Sequence, residues 1–278
     1  MTLEPRFENQ YTLRQVAAAR RVLVDVGQVL ASFADAIVVV GGWVPDLLLQ
    51  NADSAHIGSI DVDLALDVAR LADGRYAELL TQLLDTGRYE RADKDFQLVS
   101  VVDLRDGERP VRVEVDLVAS HDVVLKKNHP KLVEGFRVLQ RPAFAAAFTS
   151  PVRIGLSGPM VSGAVNTVYL RVASLPGFLV MKAHAIGGRD KPKDVYDLCY
   201  CLDEFPDAVH IVAADWHARR DDSLIAAAVA ILQEKFQSVD HYGPQQLAAF
   251  HAGGAPAEGA MYARRAFELV QKLLRSLQ

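Results

Sequence analysis

The chain has 278 residues with a formal net charge of −5; half of them are apolar and 23% are charged. This is an ordinary soluble globular balance, long enough for one large core or two modest ones. The acidic balance argues against a dedicated nucleic-acid coat without excluding local contact, no apolar run reaches the length of a membrane span, and Met1-Thr2-Leu3-Glu4-Pro5-Arg6 lacks the basic start and apolar stretch of a secretory signal. Two cysteines, Cys199 and Cys201, exclude a disulfide framework and fit buried thiols in a reducing, cytoplasmic setting.

Apolar residues at Val16, Leu23, Val26, Leu30 and Phe33 recur at helical spacing and predict an amphipathic helix over 12–33. A short buried strand, Ile37–Val40, runs into Gly41-Gly42, and a helix starts near Trp43 with Pro45 in its first turn. A second strand is expected at Ile60–Leu66 and a helix at Arg75–Leu84. Phe96–Leu104 and Val111–Val118 read as strands joined across Arg105-Asp106-Gly107-Glu108, where Asp-Gly signals a hairpin. Val152–Leu156 and Thr167–Val172 form a further strand pair, and residues 121–150 give no clear pattern. From Ser174 onward the chain is helical, with helices beginning at Ser174 and over Lys193–Leu202, Ser223–Phe236, Pro244–Phe250 and Met261–Leu277. The expected division is a catalytic α/β domain over 1–172 and a helical domain over 173–278.

Chemistry concentrates at two places. In Ser59-Ile60-Asp61-Val62-Asp63-Leu64 the carboxylates stand at i and i+2 of a strand. They therefore share one face, with Cα atoms roughly 6–7 Å apart, while Val62 and Leu64 face a core. Adjacent carboxylates on a rigid strand repel unless a cation sits between them. A pair of Mg²⁺ ions is the partner that phosphoryl and nucleotidyl transfer require. On Val111–Val118 the valines alternate with Arg112, Glu114 and Asp116, so either Asp116 or Glu114 could add a third carboxylate. Farther on, Lys182, Ile186 and Arg189 lie on one helix stripe, and two cations on one face can engage a triphosphate. Asp194 and Asp197 stand at i and i+3 on the next helix and could orient those cations or bind nucleotide hydroxyls; an interhelix salt bridge with Arg189 is the structural alternative.

The strand, glycine pair, helix and Asp-x-Asp strand resemble the polymerase-beta-type nucleotidyltransferase superfamily. The gap of eighteen residues between Gly42 and Asp61 is long for that pattern, so the loop Asn51–Gly58 is expected to protrude. The second block, with Lys182, Ala185, Arg189, Lys193, Asp194, Tyr196, Asp197 and Leu198 at fixed spacing, resembles the AbiEii/AbiGii nucleotidyltransferase toxins of type IV toxin–antitoxin systems. That resemblance implies an α+β fold, a polymerase-beta-like mixed sheet with flanking helices plus a helical C-terminal region. It implies transfer of a nucleoside monophosphate from an NTP to a hydroxyl of tRNA or protein, with a cognate antitoxin as partner. Asp61, Asp63 and Asp116 (or Glu114) would hold two Mg²⁺ ions, and Gly41 and Gly42 with the following helix start would meet phosphates. Lys182 would neutralise the leaving pyrophosphate, with Arg189, Asp194 and Asp197 in nucleotide binding. The stretch from Gly42 to Ala65 also resembles aminoglycoside and lincosamide nucleotidyltransferases, which makes an antibiotic the alternative acceptor. A non-catalytic nucleotide-binding protein would lack a metal carboxylate, and none is missing.

Other motifs carry less. Basic residues cluster at Lys126-Lys127 with Lys131, and at Arg189, Lys191 and Lys193, where they could steer a phosphate-rich partner. Gly158–Gly163 has P-loop glycine spacing but is followed by Ala164-Val165 in place of Lys and Ser/Thr. His184 reads as a partly buried structural histidine, and no spacing of His and Cys suits zinc.

Overall fold

The computed structural model describes residues 5–72, 74–120, 138–252 and 256–278. The chain is α+β and divides into two compact units. One contains residues 13–47 and 58–174; the other contains residues 1–12, 48–57 and 175–278.

The first unit is built on a mixed sheet of eight strands among the described residues. Helix α1 (Leu13–Val29) buries Ala18, Ala19, Val22, Leu23 and Val26 along one stripe, as its apolar period requires. Strand β1 (Ile37–Val40) is buried at every position, and α2 (Trp43–Leu48) follows its glycine turn. Then come β2 (Val62–Leu66), α3 (Arg75–Asp85), β3 (Glu90–Arg91), β4 (Gln97–Val102) and β5 (Val111–Ala119). Strand β6 (Leu139–Gln140), a 3-10 turn over Pro142–Phe148, and the hairpin β7 (Val152–Pro159) and β8 (Val165–Val172) complete the unit.

The strand order is β3-β4-β5-β2-β1-β8-β7, with β6 pairing β5. β2 runs antiparallel to β1 and parallel to β5, and β5 runs antiparallel to β4. These registers place Val40, Asp63, Asp116 and Gln97 in one row across four adjacent strands. The β4–β5 connection is wider than a two-residue hairpin, because the last pair is Val102 with Val111. Asp106 shapes it by accepting the Glu108 amide at 3.1 Å and Arg14 Nε at 2.7 Å.

The second unit is helical: α4 (Leu175–Gly188), α5 (Pro192–Glu204), α6 (Ala208–Ala218), α7 (Ser223–Lys235), α8 (Tyr242–Ala252) and α9 (Pro256–Ser276). Its core holds Phe178, Leu198, Trp216, Phe236, Phe250 and Val270. Pro192 opens α5, and Asp222 caps α7 by accepting the Leu224 amide at 2.9 Å. Helix α6 lies outside the elements expected from sequence, although Val209, Val212, Ala213 and Trp216 carry the helical period and are buried. No described helix is long and apolar enough to cross a membrane.

The segment Asn51–Gly58 differs from its expectation. Instead of protruding, residues 48–57 pack within the helical unit. Tyr200 Oη donates to the Ser54 carbonyl at 2.7 Å, the Ile57 amide donates to Tyr196 Oη at 3.3 Å, and the His56 side chain is buried. Its backbone groups at Ser54 and Ile57 and its His56 ring find partners on α5, which a length-based reading of the gap does not register.

Candidate functional site

The sheet unit gathers the first carboxylate set. β2 begins at Val62, so Asp61 stands at the strand entrance and Asp63 one alternation inside it. Val62 and Leu64 are buried while Asp61 and Asp63 are partly exposed, the alternation that the sequence predicts. Asp61 is fixed twice: Ser59 Oγ donates to its carboxylate at 2.6 Å, and Trp43 Nε1 donates to its carbonyl at 2.7 Å. Asp63 lies against the glycine turn. A Cβ built on Gly41 would fall 1.9 Å from Asp63 Oδ2, and Gly41 has φ +69°. Glycine is therefore required at 41 both by backbone conformation and by the carboxylate beside it.

Asp116 is the register partner of Asp63 on the parallel neighbour β5. Glu114 projects from the same face, and Gln97 ties the two together: its Nε2 donates to Glu114 Oε2 at 2.8 Å and to Asp116 Oδ1 at 2.7 Å. Burial pushes the Asp116 carboxyl up to about 6; the Gln97 amide opposes that, the Asp61 charge reinforces it, and Lys94 and Glu114 add smaller opposing effects. Asp116 thus feels the charge of Asp61. Among the described residues, no three carboxylate, imidazole or thiol side chains are gathered tightly enough to hold a metal ion as they stand.

The helical unit holds the second charged set, and it is closed by ion pairs. Lys182 Nζ lies 2.7 Å from Asp194 Oδ1 and 2.7 Å from Asp197 Oδ2. Arg189 takes Asp194 in a fork, Nε at 2.7 Å and a second nitrogen at 3.0 Å. Asp197 also accepts Lys193 Nζ at 2.7 Å and meets His56 Nε2 at 2.9 Å. Lys182, Lys193, Asp194, Asp197 and His56 are all buried, whereas the Arg189 side chain is 54% exposed. Burial alone would favour the neutral carboxyls, but Lys182 and Arg189 hold Asp194 down at about 2. Asp197 likewise lies well below the carboxylate range against its burial, through Lys182 and Lys193. Burial works against the Lys182 ammonium too, and the two aspartates overcome it and raise its pKa. For Lys193 burial wins, and its pKa is lowered despite Asp197.

Aromatic rings wall the same cluster. His56 stacks on Tyr196 at 5.2 Å and meets the edge of Tyr200 at 4.8 Å, while Lys193 lies over Tyr11 and Tyr196.

The structure thus brings Asp63, Asp116 and Glu114 together with Gln97 on one sheet face, and Lys182, Arg189, Asp194 and Asp197 together in the helical unit. The interhelix salt bridge weighed for Arg189 is present. Lys182 is not the exposed cation that a helix stripe suggests, and Lys193 is withdrawn from any basic surface patch. Lys126, Lys127 and Lys131 lie outside the described residues. His184 Nε2 meets the Leu224 carbonyl at 2.9 Å, a structural contact. Gly158 and Pro159 end strand β7. Both cysteines are buried and free, with thiol pKa values raised by burial. Sequence reasoning missed Gln97, Ser59 and Trp43 as supports of the carboxylates, because Gln97 and Trp43 meet their partners across separate segments. Ser59 alone offered a signal, lying two residues before Asp61.

A mixed sheet presenting an Asp-x-Asp pair opposite a third acidic residue, next to a glycine turn, is the arrangement that the sequence resemblance to nucleotidyltransferases leads one to expect. The family model of the nucleotidyl transferase AbiEii toxins, type IV toxin–antitoxin system, matches residues 56–258, and the chain belongs to this family. The matched stretch contains Asp61, Asp63, Glu114, Asp116 and the whole charged cluster of the helical unit; Gly41 and Gly42 precede it. No curated protein matches the chain significantly.

Proposed function

We propose that the chain is a divalent-metal-dependent nucleotidyltransferase toxin that moves a nucleoside monophosphate from an NTP to a hydroxyl of tRNA or protein, and that a cognate antitoxin opposes it. The observation that carries the reading is the row Asp63–Asp116–Gln97 beside Asp61. Its donor set fits Mg²⁺ in kind: hard carboxylate oxygens on adjacent strands, in register, whose mutual repulsion a cation would relieve. Asp61, Asp63 and Asp116 would hold two ions, with Glu114 as the alternative third ligand. When bound, such ions supply charge neutralisation at the phosphates and a lowered pKa for the acceptor hydroxyl.

The protein's own groups do the positioning. The acceptor oxygen attacks the α-phosphorus, the bond from that phosphorus to the bridging oxygen breaks, and pyrophosphate leaves with the electron pair. The hydroxyl proton passes to a carboxylate oxygen, which we assign to Asp116. Gln97 holds Asp116 and Glu114 side by side and keeps their orientation fixed. The glycine turn offers main-chain amides at Gly41 and Gly42 to phosphates, with the Asp63 carboxylate packed against Gly41. Arg189, the exposed cation of the second cluster, is assigned to nucleotide phosphates. Lys182, shared between two aspartates, holds Asp194 and Asp197 in place for that task. With no covalent nucleophile required, this inventory of carboxylates, glycines and cations suffices.

Incubation with each α-labelled NTP and Mg²⁺, in the presence of total tRNA, a protein extract or an antibiotic panel, tests the reading. Label on tRNA or protein that disappears in Asp63→Asn supports it. Label on an antibiotic alone would move the acceptor, and equal labelling by Asp63→Asn would remove the assigned centre.

A further inference from the structure

The hairpin β7–β8 forms one end of the sheet, and among the described residues one of its faces is exposed. The registers Arg153 with Arg171, Gly155 with Tyr169, Ser157 with Thr167 and Pro159 with Val165 put these eight residues on that face. On the other face Leu156, Val168, Leu170 and Val172 are buried, while Val152 at its end is 40% exposed. On the exposed face Tyr169 is 59% and Val165 78% exposed, and Arg153, Ser157 and Thr167 are exposed as well.

The arrangement is ordered. The Tyr169 ring leans across the neighbouring strand onto Gly155, where a built Cβ would stand 3.5 Å from the ring. The Arg153 guanidinium lies over the ring, 4.4 Å from its centroid. Ser157 and Thr167 share a hydroxyl hydrogen bond of 2.8 Å. At the end of the face Arg171 donates to the Asp35 carbonyl, and the Asp35 carboxylate is itself shared by Arg75 at 3.3 Å and Arg70 at 3.6 Å. The eight face residues include two arginines and no carboxylate, in a chain whose net charge is −5.

We propose that this face binds single-stranded RNA, with a base stacking on the Arg153–Tyr169 pair and phosphates meeting Arg153 and Arg171. A flat aromatic surface with flanking arginines and hydroxyls is the chemistry that single strands use, since every base has a π face and the backbone is anionic. Stacked arginine adds a second planar surface and a charge in one group. Charge complementarity favours a polyanion over a second copy of this acidic chain. The inference goes beyond the transfer reaction and does not rest on it, because binding is measured apart from catalysis.

The test is fluorescence anisotropy of a labelled oligoribonucleotide of mixed sequence, with its duplex form as competitor, on the full chain without NTP. Tyr169→Leu and the pair Arg153→Gln with Arg171→Gln should each weaken single-strand binding about tenfold or more, the arginine pair also reducing the salt dependence. Arg153→Lys, which keeps charge and loses the planar stack, should fall between wild type and Arg153→Gln. Thermal melting of every variant separates a lost surface from a lost fold, and Thr167→Val serves as a second variant that keeps strand propensity. Unchanged affinity in folded Tyr169→Leu and in the arginine pair overturns the proposal. So does concentration-dependent protection of β7 amides from hydrogen exchange without RNA, which would assign the edge to a second copy of the chain. Label transfer to tRNA that persists while oligonucleotide binding is lost would leave the catalytic reading intact.

Discussion

Two acidic clusters in one chain meet opposite fates. Asp194 and Asp197 are buried with Lys182, Lys193, Arg189 and His56 around them, each carboxylate oxygen facing a cation or an imidazole. Asp116 is half-buried beside Glu114 and within the field of Asp61, and its short contact is with the Gln97 amide. An amide orients a carboxylate without neutralising it, and Lys94 stands 3.9 Å from Glu114, so the sheet cluster meets less positive charge than the helical cluster, whose cations lie at 2.7 Å. The first is therefore expected to govern catalysis and the second to govern the fold of its unit and the placement of Arg189.

The largest effect that separates the two is on turnover. Asp61→Asn or Asp63→Asn should lower nucleotidyl transfer by about a thousandfold or more, because amides cannot supply the charge that divalent ions require. Their urea midpoints should stay near wild type or rise, since a like-charge repulsion is removed. Wild-type turnover in both variants would dissolve the comparison.

Next is the choice of third ligand. Asp116 is in register with Asp63, whereas Glu114 lies two residues back on β5. Asp116→Ala should cost activity by orders of magnitude and Glu114→Ala much less, measured as initial rates at saturating NTP. The reverse pattern would move the ligand two residues along the same face.

For the helical cluster the readout is stability. Asp197→Ala or Lys182→Met leaves buried charges without their partner, and should destabilise by about 3–5 kcal/mol in denaturant titration. This differs from the small effect that an exposed helix lysine would give. A loss below about 1 kcal/mol would show that solvent reaches the cluster readily.

A smaller difference lies in pH dependence. Asp194 has a depressed folded pKa of about 2, so its contribution is present above the ordinary carboxylate value of 3.8 and is lost as pH falls toward about 2. Asp116 is raised to about 6, so the metal-free native state binds the extra proton between 3.8 and about 6 and loses stability as pH rises through that window. Denaturation in a chelating buffer across pH 2–7 should show both slopes, and Asp116→Asn should abolish the second only.

Much of this is legible in the sequence alone. Ile37–Val40 is a strand at the expected residues, and the alternation at 111–118 puts Glu114 and Asp116 on the face they occupy. Local periodicity carries such information because burial repeats with the element. What stayed hidden depends on pairing between distant segments: the row that sets Gln97 beside Asp116, the contact of Gly41 with Asp63, and the capture of His56 by Asp197. The burial of Lys182 was hidden for the same reason, since the helix bearing it is apolar nearly all round and only the partners on α5 show why a lysine is tolerated there.

The most direct test is a calorimetric titration of the nucleotide-free protein with Mg²⁺, using Mn²⁺ as a paramagnetic check. Saturable binding in wild type that is lost in Asp63→Asn and in Asp116→Asn, and kept in Asp194→Asn variants that remain folded, is the predicted result. Binding that survives both sheet substitutions would contradict the assignment of the sheet carboxylates as the metal centre.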